Sequence, residues 1–320
     1  MNAQAAQPLT VAIATYDGRE LLARALASLD AQRFRDFEVL VVDDASTDGT
    51  AEWLRTERPD VRLVAHAANR GVTAALNTGL RESRGELTML LNNDMELEPD
   101  CLGALVSALE SHPEAGSACP KLLAVDRPGH LDGAGDVFHW AGVGWRRGHG
   151  ERDLGQYDRP QAIFGACGGA AVYRRAALDA VGALDEEFFA FYEDVDWAFR
   201  ARLAGFGCRY EPAAVAHHIG SATLGKGKTD FTRYQTWRNS LWLIAKDYPA
   251  ALIVRHLPRI AFHQLGLLLL ALRERKLGVL GRAWRDALAG LPGLLRKRAC
   301  VQATRRVSVR ELERIVREER

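Results

Sequence analysis

A chain of 320 residues, 48% hydrophobic and 26% charged with a formal net charge of +1, suits a globular protein of one large or two interlocked domains with an ample core. Its five cysteines (Cys101, Cys119, Cys167, Cys208 and Cys300) are odd in number and form no CxxC pair, which argues against a zinc site or a disulfide framework and fits a reducing cytoplasm. The N-terminus lacks the basic-then-apolar pattern of a signal peptide, and the best spanning candidate, Leu252 to Leu272, is broken by Arg255, Pro258 and Arg259, so no membrane-crossing helix is expected.

In chain order, Leu9–Thr15 is a short β-rich run, and Arg19–Gln32 has helical spacing through Leu22, Ala25, Leu26 and Leu29. Phe37–Val42 is a continuous apolar run ending at Asp43 and Asp44, the pattern of a strand buried on both faces. Ser46, Asp48 and Gly49 make a turn and cap into a helix at Thr50–Arg58. A strand at Val61–Ala65, a helix at Gly71–Ser83, a strand at Glu86–Leu91 and a helix at Pro99–Ser111 follow. This alternation predicts a mostly parallel, Rossmann-like α/β sheet with helices on both faces. Ligands bind such sheets at the carboxyl ends of the strands. Asp43–Asp44 and Asn92–Asn93–Asp94 fall at those ends.

From about Ala118 the rhythm changes. Residues 125–162 read as long loops with a hairpin, and Ile163–Arg174 as a glycine-laced strand. A short helix at Arg175–Val181 and an amphipathic helix at Glu193–Gly205 come next. Strands are expected at Cys208–Tyr210 and Val215–His217, then helix from Thr229 to the end. The expected divisions are 1–115, 116–228 and a helical C-terminal extension, 229–320.

Several residue patterns carry chemistry. Adjacent Asp43 and Asp44 in an apolar frame need partners, because buried charge is costly. One could accept the imide N–H of a pyrimidine and the other reach ribose; a cap and turn would be the plainer use. Asp94 could hold Mg²⁺ or Mn²⁺, with substrate phosphates completing the shell, or simply form a turn. Glu193 and Asp194 open a helix, where acids complement the dipole, and Asp196 could be a second capping acid. A carboxylate beside Phe189, Phe191 and Trp197 also has the surroundings of a general base. His217 and His218 end a β-run, and imidazole suits Mn²⁺-type sites.

Together these motifs resemble the family 2 glycosyltransferases of the GT-A fold. The resemblance runs through VAIATYDGRELLARALASL, FEVLVVDDASTDGT, NRGVTAALNTGL, LLNNDMELEPDCL, GACGGAAVYRR, GALDEEFFAFYEDVDWAFRARLAGF and VAHHIGS, in the family's order. The NND form is similar to the rhamnosyltransferase-type subgroup. The resemblance implies an inverting transferase that uses a pyrimidine nucleotide-sugar, dTDP-rhamnose or a UDP-hexose, and a saccharide or lipid-linked acceptor. It implies that Asp44 binds the base with Tyr16 nearby and Asp43 in support, and that Asn69 and Arg70 close over it. Asn93 would face the ribose and Asp94 would be the metal ligand. Asp194 would be the base beside Glu193, and His217 a third metal position with His218 as the alternative. Gly165, Gly168 and Gly169 would let backbone approach the sugars.

Residues 251–320 hold sixteen Lys/Arg against six Asp/Glu, leaving 26 against 35 in residues 1–250. Basic residues interleaved with Leu and Trp suit helices lying on an anionic membrane face, peripheral on the cytoplasmic side. A helical subdomain packed on the body is the alternative. No nucleic-acid partner is expected, because aromatic stacking motifs are missing. Two rival functions share these features: a nucleotidyltransferase, and an inactive sugar-nucleotide-binding scaffold.

Overall fold

The computed structural model describes residues 8–220 and 229–318; the expected boundary at residue 228 lies outside them. The first part alternates: β1 (Leu9–Thr15), α1 (Arg19–Asp30), β2 (Phe37–Asp43), α2 (Thr50–Glu57), β3 (Arg62–Ala65), α3 (Val72–Glu82), β4 (Leu87–Asn92), β5 (Met95–Leu97) and α4 (Cys101–Ser111). The second part holds β6 (Ala115–Ala124), β7 (Leu131–Gly133), β8 (Asp136–His139), β9 (Val143–Arg146), β10 (Gln161–Ala162) and β11 (Ala170–Arg174). α5 (Arg175–Val181), α6 (Glu193–Leu203) and β12 (Gly207–His218) complete it. The C-terminal part is α7 (Asp230–Asp247), α8 (Ala250–Arg273), α9 (Leu277–Ala303) and α10 (Val309–Glu318).

The main sheet runs β10-β12-β6-β11-β4-β1-β2-β3. β4, β1, β2 and β3 are parallel neighbours, as the β-α-β rhythm requires. β11 then runs antiparallel to β4 and β6, and β12 is parallel to β6. Strand β1 is buried on both sides. Leu9, Val11 and Ile13 enter one core layer, and Ala12 joins Leu40, Val42 and Leu90 in the other, because side chains alternate along a strand.

Two expectations are corrected. The glycine-laced strand is shorter than Ile163–Arg174 and begins at Ala170; before it the backbone leaves the sheet, with Gly168 N–H donating to a side chain. The two short strands near residue 210 are one strand, β12, with a register irregularity between Glu211 and Val215, where Pro212 has no N–H to donate.

The C-terminal helices share a core with the body. Phe138, Phe164 and Phe199 pack with Tyr248, Leu252, Ile260, Leu294 and Leu312. Phe138 and Phe164 stack at 4.9 Å, and Phe199 and Tyr248 at 5.2 Å. Lys246, 2% exposed, donates to Asp185 at 2.8 Å and pairs with Asp196. Asp196 is therefore no surface cap: it is fully buried and also paired with Arg200 at 2.9 Å. One face of the extension is thus packed on the body, as a helical subdomain would be.

Candidate active site

β4, β1 and β2 lie side by side, and their carboxyl ends meet in register: Ala14 opposite Asn92, Thr15 opposite Asp43. The motif residues therefore share one rim of the sheet. The loops after β1 and β2 are tied together. Asp17 N–H donates to Ser46 Oγ at 3.0 Å, and Asp17 Oδ1 accepts from Thr47 N–H at 2.6 Å. Tyr16 stands 46% exposed at this mouth.

Asp43 and Asp44 are both buried, but they are used differently. Asp43 Oδ1 accepts from the backbone N–H and the hydroxyl of Ser46. Asp44 Oδ1 meets His66 Nδ1 at 2.7 Å and Arg70 N–H at 2.9 Å. Its Oδ2 accepts from Arg70 N–H at 3.0 Å and Gly71 N–H at 2.8 Å. Four contacts to two oxygens match the usual lone-pair capacity of a carboxylate. Asp44 is thus the anchor of the Asn69–Gly71 loop. Asn69 Oδ1 accepts from Gly71 N–H at 3.0 Å, and Arg70 is exposed. His66, whose Nε2 reaches Thr78 Oγ1 at 3.0 Å, has no periodic signal that would single it out in sequence.

Across the rim, Asn93 Nδ2 donates to Thr15 Oγ1 at 3.0 Å. Gly18 lies under it, and a methyl group there would overlap the Asn93 amide. Asp94 Oδ1 is buried without a hydrogen-bond partner, and Oδ2 is 3.3 Å from His218 Nε2. His217 does not face Asp94: its Nε2 is 3.0 Å from Glu98 Oε1, and its side chain is 38% exposed. The correction has a simple cause. Consecutive residues of a strand point to opposite faces, so only one of the pair can reach the rim, and β12 turns His218 inward.

His218 Nδ1 is 2.8 Å from Asp132 Oδ2, and Asp132 also pairs with Arg146. Burial disfavours charge on His218, but its bonds to Asp132 and Asp94 outweigh this and raise its pKa to about 9. Burial likewise opposes ionisation of Asp132, yet His149, His218 and Arg146 hold it well below the usual carboxylate range.

A buried carboxylate oxygen without a donor beside an imidazole fits a divalent cation. Among the described residues no group of three or more His, Cys, Asp or Glu is arranged to hold an ion. An ion there would be met by Asp94 and His218 alone, with its other ligands coming from outside the chain.

The other side of the site is α6. Asp194 Oδ2 accepts from Gly168 N–H at 3.0 Å, and Oδ1 from Val195 N–H at 2.8 Å. Gly169 O in turn accepts from Asn92 N–H at 2.9 Å, so one loop links the Asp94 rim to the Asp194 helix. The three glycines have separate reasons. A methyl at Gly168 would sit 3.1 Å from Asp194 Oδ2 and one at Gly165 2.7 Å from Ala198, while one at Gly169 would overlap Met95. Gly168 alone of the three borders Asp194.

Glu193 has a buried, unpartnered Oε2. Burial and then the charge of Asp194 push its pKa to about 8. Asp136, buried at the start of β8, is raised to about 8 for the same two reasons. Asp132, Asp136 and Arg146 lie in the aperiodic 125–162 stretch, where nothing in the sequence ranks one polar residue above another.

The segment leading into α6 is strained. Phe189, Phe191 and Tyr192 have φ of 66°, 63° and 73°, which is costly for residues with a Cβ. Asn239 of α7, fully buried, holds it by donating to the carbonyls of Phe188, Ala190 and Phe191.

The family model described as Glycosyl transferase family 2 matches residues 10–182. The N-acetylglucosaminyl-diphospho-decaprenol L-rhamnosyltransferase of Mycobacterium tuberculosis is 30% identical over 240 residues, covering 67% of this chain and 77% of that one. The poly-beta-1,6-N-acetyl-D-glucosamine synthase of Staphylococcus aureus is 23% identical over 70% of this chain and 53% of its own length. Among solved structures, a Pyrobaculum calidifontis mannosyltransferase in complex with GDP-Man and Mn²⁺ superposes with a TM-score of 0.56 at 20% identity, over 94% of this chain and 86% of that one. Residues 1–349 of S. aureus TarS, in complex with UDP-GlcNAc, superpose at 0.55 and 18% identity, over 97% and 90%. The α/β body is a GT-A fold, and the chain belongs to glycosyl transferase family 2.

Proposed function

We propose that the protein is an inverting transferase that moves a sugar from a pyrimidine nucleotide-sugar, dTDP-rhamnose or a UDP-hexose, to a saccharide or lipid-linked acceptor. The donor specificity rests on the motif resemblance and on the rhamnosyltransferase relative. The observation that carries the chemistry is the seat of Asp194, fixed by Gly168 N–H at 3.0 Å across one loop from the buried, unpartnered oxygen of Asp94.

On this reading residues 1–115 bind the donor, 116–228 bind the acceptor and carry the base, and 229–320 are a helical extension. The loop anchored by Asp44 closes over the base, beside Tyr16, Asp43, Asn69 and Arg70. Asn93 faces the ribose, and Gly168 and Gly169 border the donor sugar. Asp94 would hold Mg²⁺ or Mn²⁺, and His218 would be the second ligand once the ion displaces its Nε2 proton. Such an ion, when bound, neutralises the diphosphate as a Lewis acid.

Asp194 takes the proton from an acceptor hydroxyl. The acceptor oxygen forms its bond to the anomeric carbon from the face opposite the diphosphate. The bond to the diphosphate breaks with its electron pair leaving on the phosphate oxygen, and configuration inverts. Glu193, raised to about 8 by burial and then the charge of Asp194, stands beside it with an unpartnered Oε2, whereas Asp194 is fixed by the N–H groups of Gly168 and Val195.

A thermal-shift panel of nucleotide-sugars tests this. Pyrimidine nucleotide-sugars should stabilise the protein with Mn²⁺ and much less in chelator. Equal stabilisation by purine nucleotide-sugars, or full stabilisation in chelator, would contradict it.

A further inference from the structure

Helix α8 buries Leu252, His256 and Ile260 toward the body and Leu267 and Ala271 against α7 and α9. Its opposite face is apolar as well. Val254 is 74% exposed, Leu257 56%, Phe262 78%, Leu265 52%, Leu269 58% and Leu272 51%. These residues recur at spacings of three to five and so form one stripe. At 1.5 Å per residue the stripe is about 27 Å long. These contacts account for the first face, and among the described residues nothing covers the second. An apolar patch of this extent marks an interaction surface rather than scattered exposed leucines.

Arg259 and Arg273, both exposed, line one margin of the stripe, with Arg255 beside them paired to Glu313. No described helix is long and apolar enough to cross a membrane, so the stripe is suited to lying in an interface rather than spanning one. A two-fold contact with a second copy would set the same arginine margins and the same basic extension near their own images. An anionic lipid surface pairs them with opposite charge.

Beside the stripe is a groove of about 540 Å³ between α8 and the β8–β9 hairpin, lined by His139, Val143, Trp145, Arg259, Phe262 and His263 among others. Phe262 belongs to both groove and stripe, so the two are continuous. Burial, followed by the nearby His139, lowers the pKa of His263, which keeps the groove short of charge except at Arg259. The other face of the hairpin meets the catalytic helix. Gly144 packs on Val195, where a methyl would sit 3.0 Å from Val195 Cγ2, and Gly144 N–H donates to Tyr192 Oη at 3.3 Å. Val195 follows Asp194, so one strand separates groove from base.

We propose that the α8 stripe lies in the surface of an anionic membrane and that the groove takes the phosphate and first alkyl segment of a lipid-linked acceptor. Arg259 meets the phosphate, Trp145 and Phe262 meet the chain, and the attached sugar passes the hairpin to Asp194. This rests on the lipid-linked member of the acceptor classes proposed above.

The test uses the full chain in vesicle co-sedimentation. Vesicles are phosphatidylcholine alone, phosphatidylcholine with phosphatidylglycerol, and the latter doped with a polyisoprenyl phosphate. The chain should bind the anionic vesicles, more weakly at high salt, and bind the doped ones more tightly. The double variant Leu265→Asp with Leu269→Asp should lose at least ~10-fold in affinity for all of them, since two apolar side chains leave the lipid. Trp145→Ala should keep binding to undoped anionic vesicles and lose the gain from the polyisoprenyl phosphate. Stabilisation by nucleoside diphosphate with Mn²⁺, measured on each variant, reports folding and the donor site separately. If that stabilisation is missing from the wild type, the transferase reading fails. If it is present while vesicles are ignored, or while the double variant binds them as well as wild type, the docking proposal is overturned. A wild-type dimer that the double variant dissociates, with no vesicle binding, would assign the stripe to a second copy instead.

Discussion

The side chain of Asn239 donates to the carbonyl oxygen of Phe191 at 2.7 Å, so helix α7 of the C-terminal part holds the strained turn that precedes Asp194. Asn239→Ala removes this donor from a buried site and frees a turn with three positive-φ residues. A lost buried hydrogen bond costs about 1–3 kcal/mol. The melting temperature should fall, and turnover should fall by at least ~10-fold while nucleoside diphosphate affinity changes little. Steady-state kinetics beside a binding titration check this; equal loss in both would make Asn239 a general packing residue.

Asp194→Asn keeps the shape of the side chain and removes the proton acceptor. Turnover should drop at least ~100-fold, the scale of general-base loss, with donor affinity nearly intact. A comparable drop in Glu193→Gln alone would move the base by one residue.

Asp94 and His218 share the space that a diphosphate-bound cation would fill, and His217 is turned away. Asp94→Ala and His218→Ala should each abolish the Mn²⁺-dependent part of the thermal shift given by nucleoside diphosphate. His217→Ala should leave it unchanged. A large effect at His217 with none at His218 would reverse the assignment.

Glu193 gives a pH dependence of stability. Its folded pKa is raised to about 8, whereas a free glutamate titrates near about 4.3. Between these values the folded state binds more protons than the unfolded state, so the contribution of this group to stability falls as pH rises through the window. Glu193→Gln mimics the protonated form. Its melting temperature relative to wild type should be higher at pH about 8.5 than at pH about 5; no change in that difference would contradict the burial of a shared charge.

The parallel half of the fold was legible because each element there carries one strong local pattern. Leu9–Thr15 and Arg175–Val181 were expected with the observed limits, and the helices α1 to α4 came within two residues at each end. β6 was not anticipated: its run contains Gly116, Ser117, Pro120 and Lys121, and its burial comes from neighbours far away in sequence. The site was legible where a motif ends a strand, as at Asp43, Asp44 and Asp94. Asp132, Asp136 and Arg146 acquire their importance only when the hairpin folds over α6. His217 and His218 could not be separated by type or spacing, since the choice depends on which face of β12 meets the rim. In the extension, the basic and apolar character was visible, but not that one apolar face of α8 is spent on the body and on α7 and α9 while the other is left exposed.

The most direct test of the account is the identity of the leaving group. Purified protein is incubated with Mn²⁺, a pyrimidine nucleotide-sugar that stabilises it, and a polyisoprenyl-diphosphate-linked saccharide, and the released product is identified beside an Asp194→Asn control. The account predicts nucleoside diphosphate released together with a sugar of inverted anomeric configuration on the acceptor, and at least ~100-fold less of both in the control. Release of pyrophosphate, or tight donor binding with no release from the wild type, would contradict it.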